Sequence, residues 1–159
     1  QILELMKRLQ RERGMSIILI THDLGVVARM ADEVAVMYAG QIVEQGSVDA
    51  IFAKPTHPYT LGLRQAMPEP EESHGEKRKL QPIEGSPPDL FSPPVGCGYA
   101  ARCPYALKVC DSRLPELWEV EAGHLSRCWL HHQWAGKHAP ANLSRGREMP
   151  APAASARAE

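Results

Sequence analysis

The chain has 159 residues, 43% of them hydrophobic, and a formal net charge of −1 from 18 basic and 19 acidic side chains. That excludes a wholly disordered polypeptide and leaves room for a core of its own. Near-neutrality gives no broad footprint for nucleic acid: the one compact basic cluster, Lys77-Arg78-Lys79, follows Glu69, Glu71, Glu72 and Glu76 and reads as a solvated linker face.

No apolar run approaches the roughly 18 residues needed to cross a bilayer, and no charged-then-apolar leader opens the chain, so a soluble or peripheral, cytoplasmic protein is expected. Gln1 falls inside a helical pattern, which suggests sequence upstream of it. All fourteen prolines lie at or after Pro55 and all four cysteines at or after Cys97, which puts a boundary near residue 54.

Ile2, Leu5, Met6 and Leu9 recur at helical spacing opposite Glu4, Lys7, Arg8, Arg11 and Glu12, and Gly14 supplies a left-handed stop. The expectation is an amphipathic helix lying on a sheet. Met15 to Ile20 is a β-branched run without alternation, which predicts a strand buried on both faces. Thr21 or Asp23 then caps a helix over Leu24 to Ala31. Glu33 to Tyr38 and Gln41 to Gln45 read as a hairpin around Ala39-Gly40. Ser47 caps a helix from Val48 to Ala53, which Lys54-Pro55 ends. Thr60 opens a further helix to Met67, Pro68 to Pro94 reads as an extended connector, and the tail from Lys137 reads as disordered.

His22 stands where the apolar run ends and a helix begins, the edge at which ligands bind in open α/β sheets. An imidazole there can hydrogen-bond a terminal phosphate or an attacking water. Phosphoryl transfer also needs a glycine-rich phosphate cradle and a magnesium site, and no G-x-x-x-x-G-K-[ST] occurs in these residues. By spacing alone His22 stands equally as a ligand contact or a structural residue.

The order Ile18-Leu19-Ile20-Thr21-His22-Asp23-Leu24, followed by Ala31 to Gly46, resembles the last third of an ABC transporter nucleotide-binding domain. The second half, with His57-Pro58-Tyr59-Thr60, Ile83 to Pro88 and Gly96-Cys97-Gly98-Tyr99-Ala100-Ala101-Arg102-Cys103-Pro104, resembles the carboxyl-terminal extension of oligopeptide and dipeptide permease ATPases. Together the two cover about Gln1 to Leu130.

The resemblance implies an α/β fold: the C-terminal part of a P-loop, ABC-type nucleotide-binding domain over residues 1–54, with a partial parallel sheet, a hairpin and helices. A small, irregular, cysteine-rich metal-binding extension would follow over 55–136, comprising a proline-rich connector at 68–94 and a four-cysteine module at 96–134, and then a tail at 137–159. It makes His22 the switch histidine that contacts the γ-phosphate of ATP between two nucleotide-binding domains, with Thr21 and Asp23 serving the turn and cap. It also puts the Walker A lysine, Q-loop, signature motif, Walker B aspartate and catalytic glutamate before residue 1, so that the chain alone is expected neither to bind nor to hydrolyse ATP.

Cys97, Cys103, Cys110 and Cys128 are separated by five, six and seventeen residues. Four thiolates in so short a stretch can close a tetrahedral zinc site or hold the irons of a cubane cluster, whereas disulfides are disfavoured in a cytoplasmic protein. No C-x-x-C knuckle occurs, wider gaps suit a larger centre, and Cys103-Pro104 echoes ferredoxin-like ligand runs. In the family resembled, this set is associated with a [4Fe–4S] cluster in some members, which makes the cluster the expectation and zinc or free thiols the alternatives. With four cysteine ligands its role would be structural first and redox or oxygen sensing second. His131 and His132 read as polar surface, Trp118, Trp129 and Trp134 as the module's core, and Arg102 and Lys108 as solvent-exposed.

The function so implied is the ATP-binding subunit of an ABC importer of oligopeptides or dipeptides. It would work with ATP and magnesium in the full-length parent and sit peripherally on the cytoplasmic face of the membrane. Its partners would be a second nucleotide-binding subunit, transmembrane permease subunits and, indirectly, a peptide-binding protein. The alternatives are a free-standing iron–sulfur or zinc module, and a metal-dependent phosphohydrolase using His22 and Asp23. The last is disfavoured because residues 24 to 56 contain no histidine.

Overall fold

A computed structural model of the chain describes residues 1–67, 82–132, 135, 140 and 143. Lys77-Arg78-Lys79, Trp134, most of the connector and nearly all of the tail lie outside the described residues.

Helix α1, Ile2–Arg13, ends at Gly14 in the left-handed conformation, φ 63°, as the stop signal predicts. It buries no residue, and Ile2 is 77% exposed, so the expected sheet beneath it is absent among the described residues. The strand expected at Met15 to Ile20 is not formed either: the segment has no regular structure, with Ile18 93% and Ile20 94% exposed. A doubly buried strand takes its backbone partners from both edges and its packing from both faces. No described segment supplies them. Helix α2, Leu24–Met30, follows, and Asp23 caps it by accepting from the Gly25 and Val26 amides at 2.9 and 3.1 Å.

Among the described residues the buried core lies after Glu33. Strands β1, Glu33–Tyr38, and β2, Gln41–Ser47, form the expected hairpin. Ala39 and Gly40 both take positive φ, 48° and 76°, the combination that matches the twist of paired strands in a two-residue turn. Val36 and Tyr38 face the core while Glu33, Ala35 and Met37 face out. Ser47 caps α3, Val48–Ala53, through the Ala50 amide. Helix α4, Pro58–Gln65, begins two residues before the expected Thr60, because His57 Nδ1 accepts the Tyr59 amide and Pro58 occupies the first turn, where no amide is missed.

Beyond the connector come a single 3₁₀ turn at Ala100–Arg102, helix α5, Lys108–Ser112, strands β3, Trp118–Glu121, and β4, His124–Ser126, and a second 3₁₀ turn at Trp129–His131. Strand β4 adds to β2 through Glu44↔Ser126 and Gln45↔Leu125, giving one four-stranded sheet in the order β1-β2-β4-β3. Every pairing is antiparallel, which corrects the expectation of a partial parallel sheet. A parallel sheet needs crossover strands, and the one candidate, Met15 to Ile20, stays unpaired. β2 is thus a central strand that joins sequence on either side of residue 54.

Two apolar clusters hold this body together. Val36, Tyr38, Val43, Ile51 and Tyr99 form one, with Tyr38 meeting Tyr59 and Tyr99 at centroid distances of 4.7 and 5.2 Å. Leu61, Cys128, Leu130, Ala135 and Leu143 form the other. Leu143 is therefore buried, although it lies in the stretch expected to be disordered. Arg102 is not free in solvent: its guanidinium donates to the carbonyls of Ile83 and Glu84 and to the Tyr38 hydroxyl. Trp129 is buried and donates to the Arg113 carbonyl at 2.8 Å.

Candidate functional site: an exposed histidine and a four-thiol cavity

His22 sits in the short turn between the exposed apolar run and α2, where Thr21 Oγ1 accepts the Asp23 amide at 3.0 Å and Asp23 turns to cap the helix. The turn and cap roles of Thr21 and Asp23 are thus in place. His22 is exposed, and no phosphate-binding loop or second catalytic side chain is assembled around it among the described residues.

The four cysteines converge. Cys97 precedes the first 3₁₀ turn and Cys103 follows it, Cys110 lies in α5, and Cys128 precedes the second 3₁₀ turn. All four are free thiols. The Cys97 amide donates to the Cys110 carbonyl at 2.7 Å, and a Cβ placed on Gly96 would collide with that carbonyl oxygen. Only a residue without a side chain lets the two segments approach so closely.

The four thiols line one cavity of about 10 Å³ beside His57, Tyr99 and Leu130. That is room for about one water. Burial pushes every one of these thiols up: Cys103 to about 12 and Cys128 well above its ordinary value, with the neighbouring thiols adding to the effect. Burial also raises Cys97 and Cys110. Left to themselves the four are neutral at physiological pH, and holding them as thiolates requires a cation to offset the lost hydration.

Among the described residues no group of three or more His, Cys, Asp or Glu is arranged to hold a metal ion. The expected metal-binding character of the extension is therefore not displayed. What a metal–sulfur centre would find here is the donor set alone: four thiols on three segments around one largely apolar space, without any three closing on a single point.

Sequence reasoning missed the polar network beside this cavity. Glu44 of β2 is fully buried. Its Oε1 accepts from the Thr56 amide at 2.7 Å, the Thr56 hydroxyl at 2.8 Å and His124 Nε2 at 2.7 Å, and its Oε2 accepts from the His57 amide at 2.9 Å. Burial alone would raise its carboxyl, but the hydrogen bonds, led by the one from His124, hold it below the ordinary value. His57 is fully buried, and loss of hydration lowers it to about 4 against the opposing pull of Glu44.

His131 and His132 are buried, not surface residues, and His131 Nε2 donates to the Thr56 carbonyl at 2.6 Å. The one local signal for any of this was a histidine before Pro58. Glu44 and His124 lie eighty residues apart, and nothing local links them.

Residues 43–110 match the family model for the C-terminal region of oligopeptide/dipeptide transporters. The chain is 53% identical over 135 residues, 85% of its length, to the dipeptide transport ATP-binding protein DppD of Bacillus subtilis. It is 54% identical over 140 residues, 88% of its length, to the oligopeptide transport ATP-binding protein OppD of the same organism. To the probable peptide ABC transporter ATP-binding protein y4tR of Sinorhizobium fredii it is 47% identical over 133 residues, 84% of its length. It spans 39%, 38% and 39% of these relatives respectively. Over residues 43–110 the chain is thus similar to the C-terminal region of oligopeptide/dipeptide transporters, and it spans about two fifths of the length of the curated relatives it matches.

Proposed function

We propose that this chain serves in the ATP-binding subunit of an ABC importer of oligopeptides or dipeptides. The observation that carries the reading is the identity of about one half to the Bacillus subtilis dipeptide and oligopeptide transport ATP-binding proteins over most of the chain. The subunit binds ATP with magnesium, pairs with a second nucleotide-binding subunit and docks on transmembrane permease subunits at the cytoplasmic face of the membrane. A peptide-binding protein delivers cargo to those permeases. No helix among the described residues is long and apolar enough to cross a bilayer, in keeping with a peripheral subunit.

His22 is the residue in this chain that meets the nucleotide. Its exposure at the head of α2 leaves the imidazole free to reach a γ-phosphate presented by another domain, and the Asp23 cap fixes the turn that carries it. A neutral imidazole offers both a donor and an acceptor, enough to hold a phosphate oxygen and orient the attacking water. In the ATP-binding protein that carries this chain, His22→Ala should cut ATP hydrolysis by on the order of 10²-fold and abolish peptide uptake while ATP still binds. Hydrolysis at the wild-type rate would remove His22 from the site.

The four-cysteine module holds a [4Fe–4S] cluster through Cys97, Cys103, Cys110 and Cys128. Support comes from the number and convergence of the thiols around one cavity. When bound, such a centre cross-links three segments of the extension and carries one electron. The chain's own contribution is to bring those segments together through the Gly96 contact and to keep water out with Tyr99 and Leu130. Anaerobic purification with iron, sulfide and zinc analysis tests this: about four irons and four sulfides per chain are expected, and a colourless, zinc-loaded protein would overturn it.

A further inference from the structure

Two of the four thiols that line the cavity are joined more closely than the rest. The Cys97 amide donates to the Cys110 carbonyl at 2.7 Å, and no other backbone hydrogen bond among the described residues links two cysteines. Such a bond sets the two Cα atoms about 5–6 Å apart, within the span of roughly 4.4–6.8 Å that a disulfide bridges. Gly96 lets the segments meet, since a side chain there would collide with the Cys110 carbonyl and the Asp111 backbone.

Both thiols are free, and both line a cavity with room for about one water. Their accessibility differs. Cys97 is half-buried and open to a small reagent, whereas Cys110 is buried behind it. Cys103 is half-buried too, but its backbone bonds stay within its own turn, to Ala100 and Ala106. Cys128 is buried and has its backbone bond to His131. The pair is therefore an exposed thiol backed by a sheltered one at bridging distance.

We propose that Cys97 and Cys110 form a reversible disulfide, with Cys97 the entry thiol and Cys110 the resolving one. The oxidant is a low-molecular-weight disulfide. The Cys97 thiolate attacks one of its sulfurs, the external S–S bond breaks, and one small thiol leaves with the proton that Cys97 gave up. Cys110 then attacks the Cys97 sulfur of the mixed disulfide. The Cys97–Cys110 bond forms, and the second small thiol leaves with the Cys110 proton. Two protein thiols are oxidised while one external disulfide is reduced to two thiols, and excess small thiol reverses both steps. Burial raises both cysteines, so exchange is slow near neutral pH and the bond answers sustained oxidation rather than bracing the fold permanently.

The inference does not rest on the iron–sulfur reading, because it concerns the chain without metal. The bond would close residues 97–110 into a loop around the first 3₁₀ turn and take two of the four donors away, so the oxidised chain could not offer four thiols to one centre.

The test uses the full chain, stripped of metal by a chelator under anaerobic conditions and incubated with glutathione disulfide at about pH 8.5, where more thiolate is present. Free thiols are counted and capped with iodoacetamide, and the unreduced digest is read by mass spectrometry. Two of the four thiols should disappear, the peptides bearing Cys97 and Cys110 should be joined, and reduced glutathione should restore all four. Cys110→Ser should stop at the mixed disulfide and carry glutathione on Cys97. Four persistent thiols in wild type, a link made through Cys103 or Cys128, or a variant adduct on Cys103 alone would overturn the inference. Iron and sulfide analysis of the protein as isolated separates the two readings. An iron-free protein that still forms the link would support the disulfide and overturn only the cluster, and an iron-loaded protein whose stripped form keeps four thiols would overturn only the disulfide.

Discussion

Residues 1–32 and residues 33–132 hold similar kinds of apolar side chain and put them to different use. The first region has a helix with no buried residue and an isoleucine-rich run in open solvent. The second region buries a carboxylate, two threonines and four histidines alongside its apolar cores. Local composition sets what a segment is able to bury. Whether it does so depends on partners from distant sequence, and in this chain β2 finds them while Met15 to Ile20 does not.

The largest effect should come from Glu44, where the second region's order is concentrated. Glu44→Ala leaves His124, the Thr56 hydroxyl and two amides without their acceptor in a dry interior. A cost of about 3–5 kcal/mol is expected, enough to separate β4 from β2. Urea denaturation of the full chain followed by tryptophan fluorescence measures it, since Trp118 and Trp129 both lie beyond residue 54. A loss below about 1 kcal/mol would mean that the sheet does not depend on this network.

Acid should attack the same place next. His57 is neutral and buried with a folded value of about 4, below its ordinary 6.5, so the unfolded chain takes up the proton first. Its contribution is complete above about pH 6.5 and falls away as pH drops toward 4, by about 3 kcal/mol in all. Glu44, Thr56 and His131 are the polar groups around it, and Glu44 acts in the same direction. Its carboxyl is held below the ordinary value, so its stabilisation is lost only as pH falls through that lowered folded value. Residues 33–132 should therefore loosen progressively in acid, while α1, which buries nothing, should keep its helical circular dichroism through that range. Simultaneous loss of both signals would break the contrast between the regions.

Gly96→Ala should have a smaller effect, on the order of 1–3 kcal/mol from overpacking, because its Cβ would collide with the Cys110 carbonyl. The segments bearing Cys97 and Cys110 must part, and alkylation of the thiols by iodoacetamide should quicken relative to wild type. Unchanged alkylation would show that the cavity tolerates the wider spacing.

The parts legible in sequence were those with short-range causes. The hairpin follows from period-two alternation around Ala39-Gly40, α3 from the Ser47 cap and the Lys54-Pro55 stop, and the end of α1 from Gly14. The convergence of four cysteines was legible as a count, but not their placement around one cavity. Glu44 misleads because a glutamate in a hairpin strand reads as the solvent face until β4 covers it from eighty residues away. His57 hides behind Thr60, the more conventional cap. Met15 to Ile20 misleads in the opposite sense: its side chains announce burial, and the announcement carries no information about which strands would lie beside it.

The smallest expected effect is the most direct probe of that last point. Ile20→Lys puts a charge in a run that a buried strand could not tolerate. In this chain Ile20 is 94% exposed and its segment pairs with nothing described, so the change should alter stability by no more than about 0.5 kcal/mol. Leu61→Ala, at a site only 2% exposed in the second core, removes a comparable side chain and should cost about 2–5 kcal/mol. The two substitutions invert what hydropathy alone would rank, because the isoleucine-rich run is the more apolar of the two sequences. Transferred to the proposed ATP-binding subunit, Ile20→Lys becomes informative about His22 two residues on. If another domain's strands flank the run there, the lysine should destabilise that protein and impair ATP hydrolysis together. If hydrolysis and stability stay at wild-type levels, the run is not a core strand in that setting either, and His22 loses the rigid mount that the proposed phosphate contact requires.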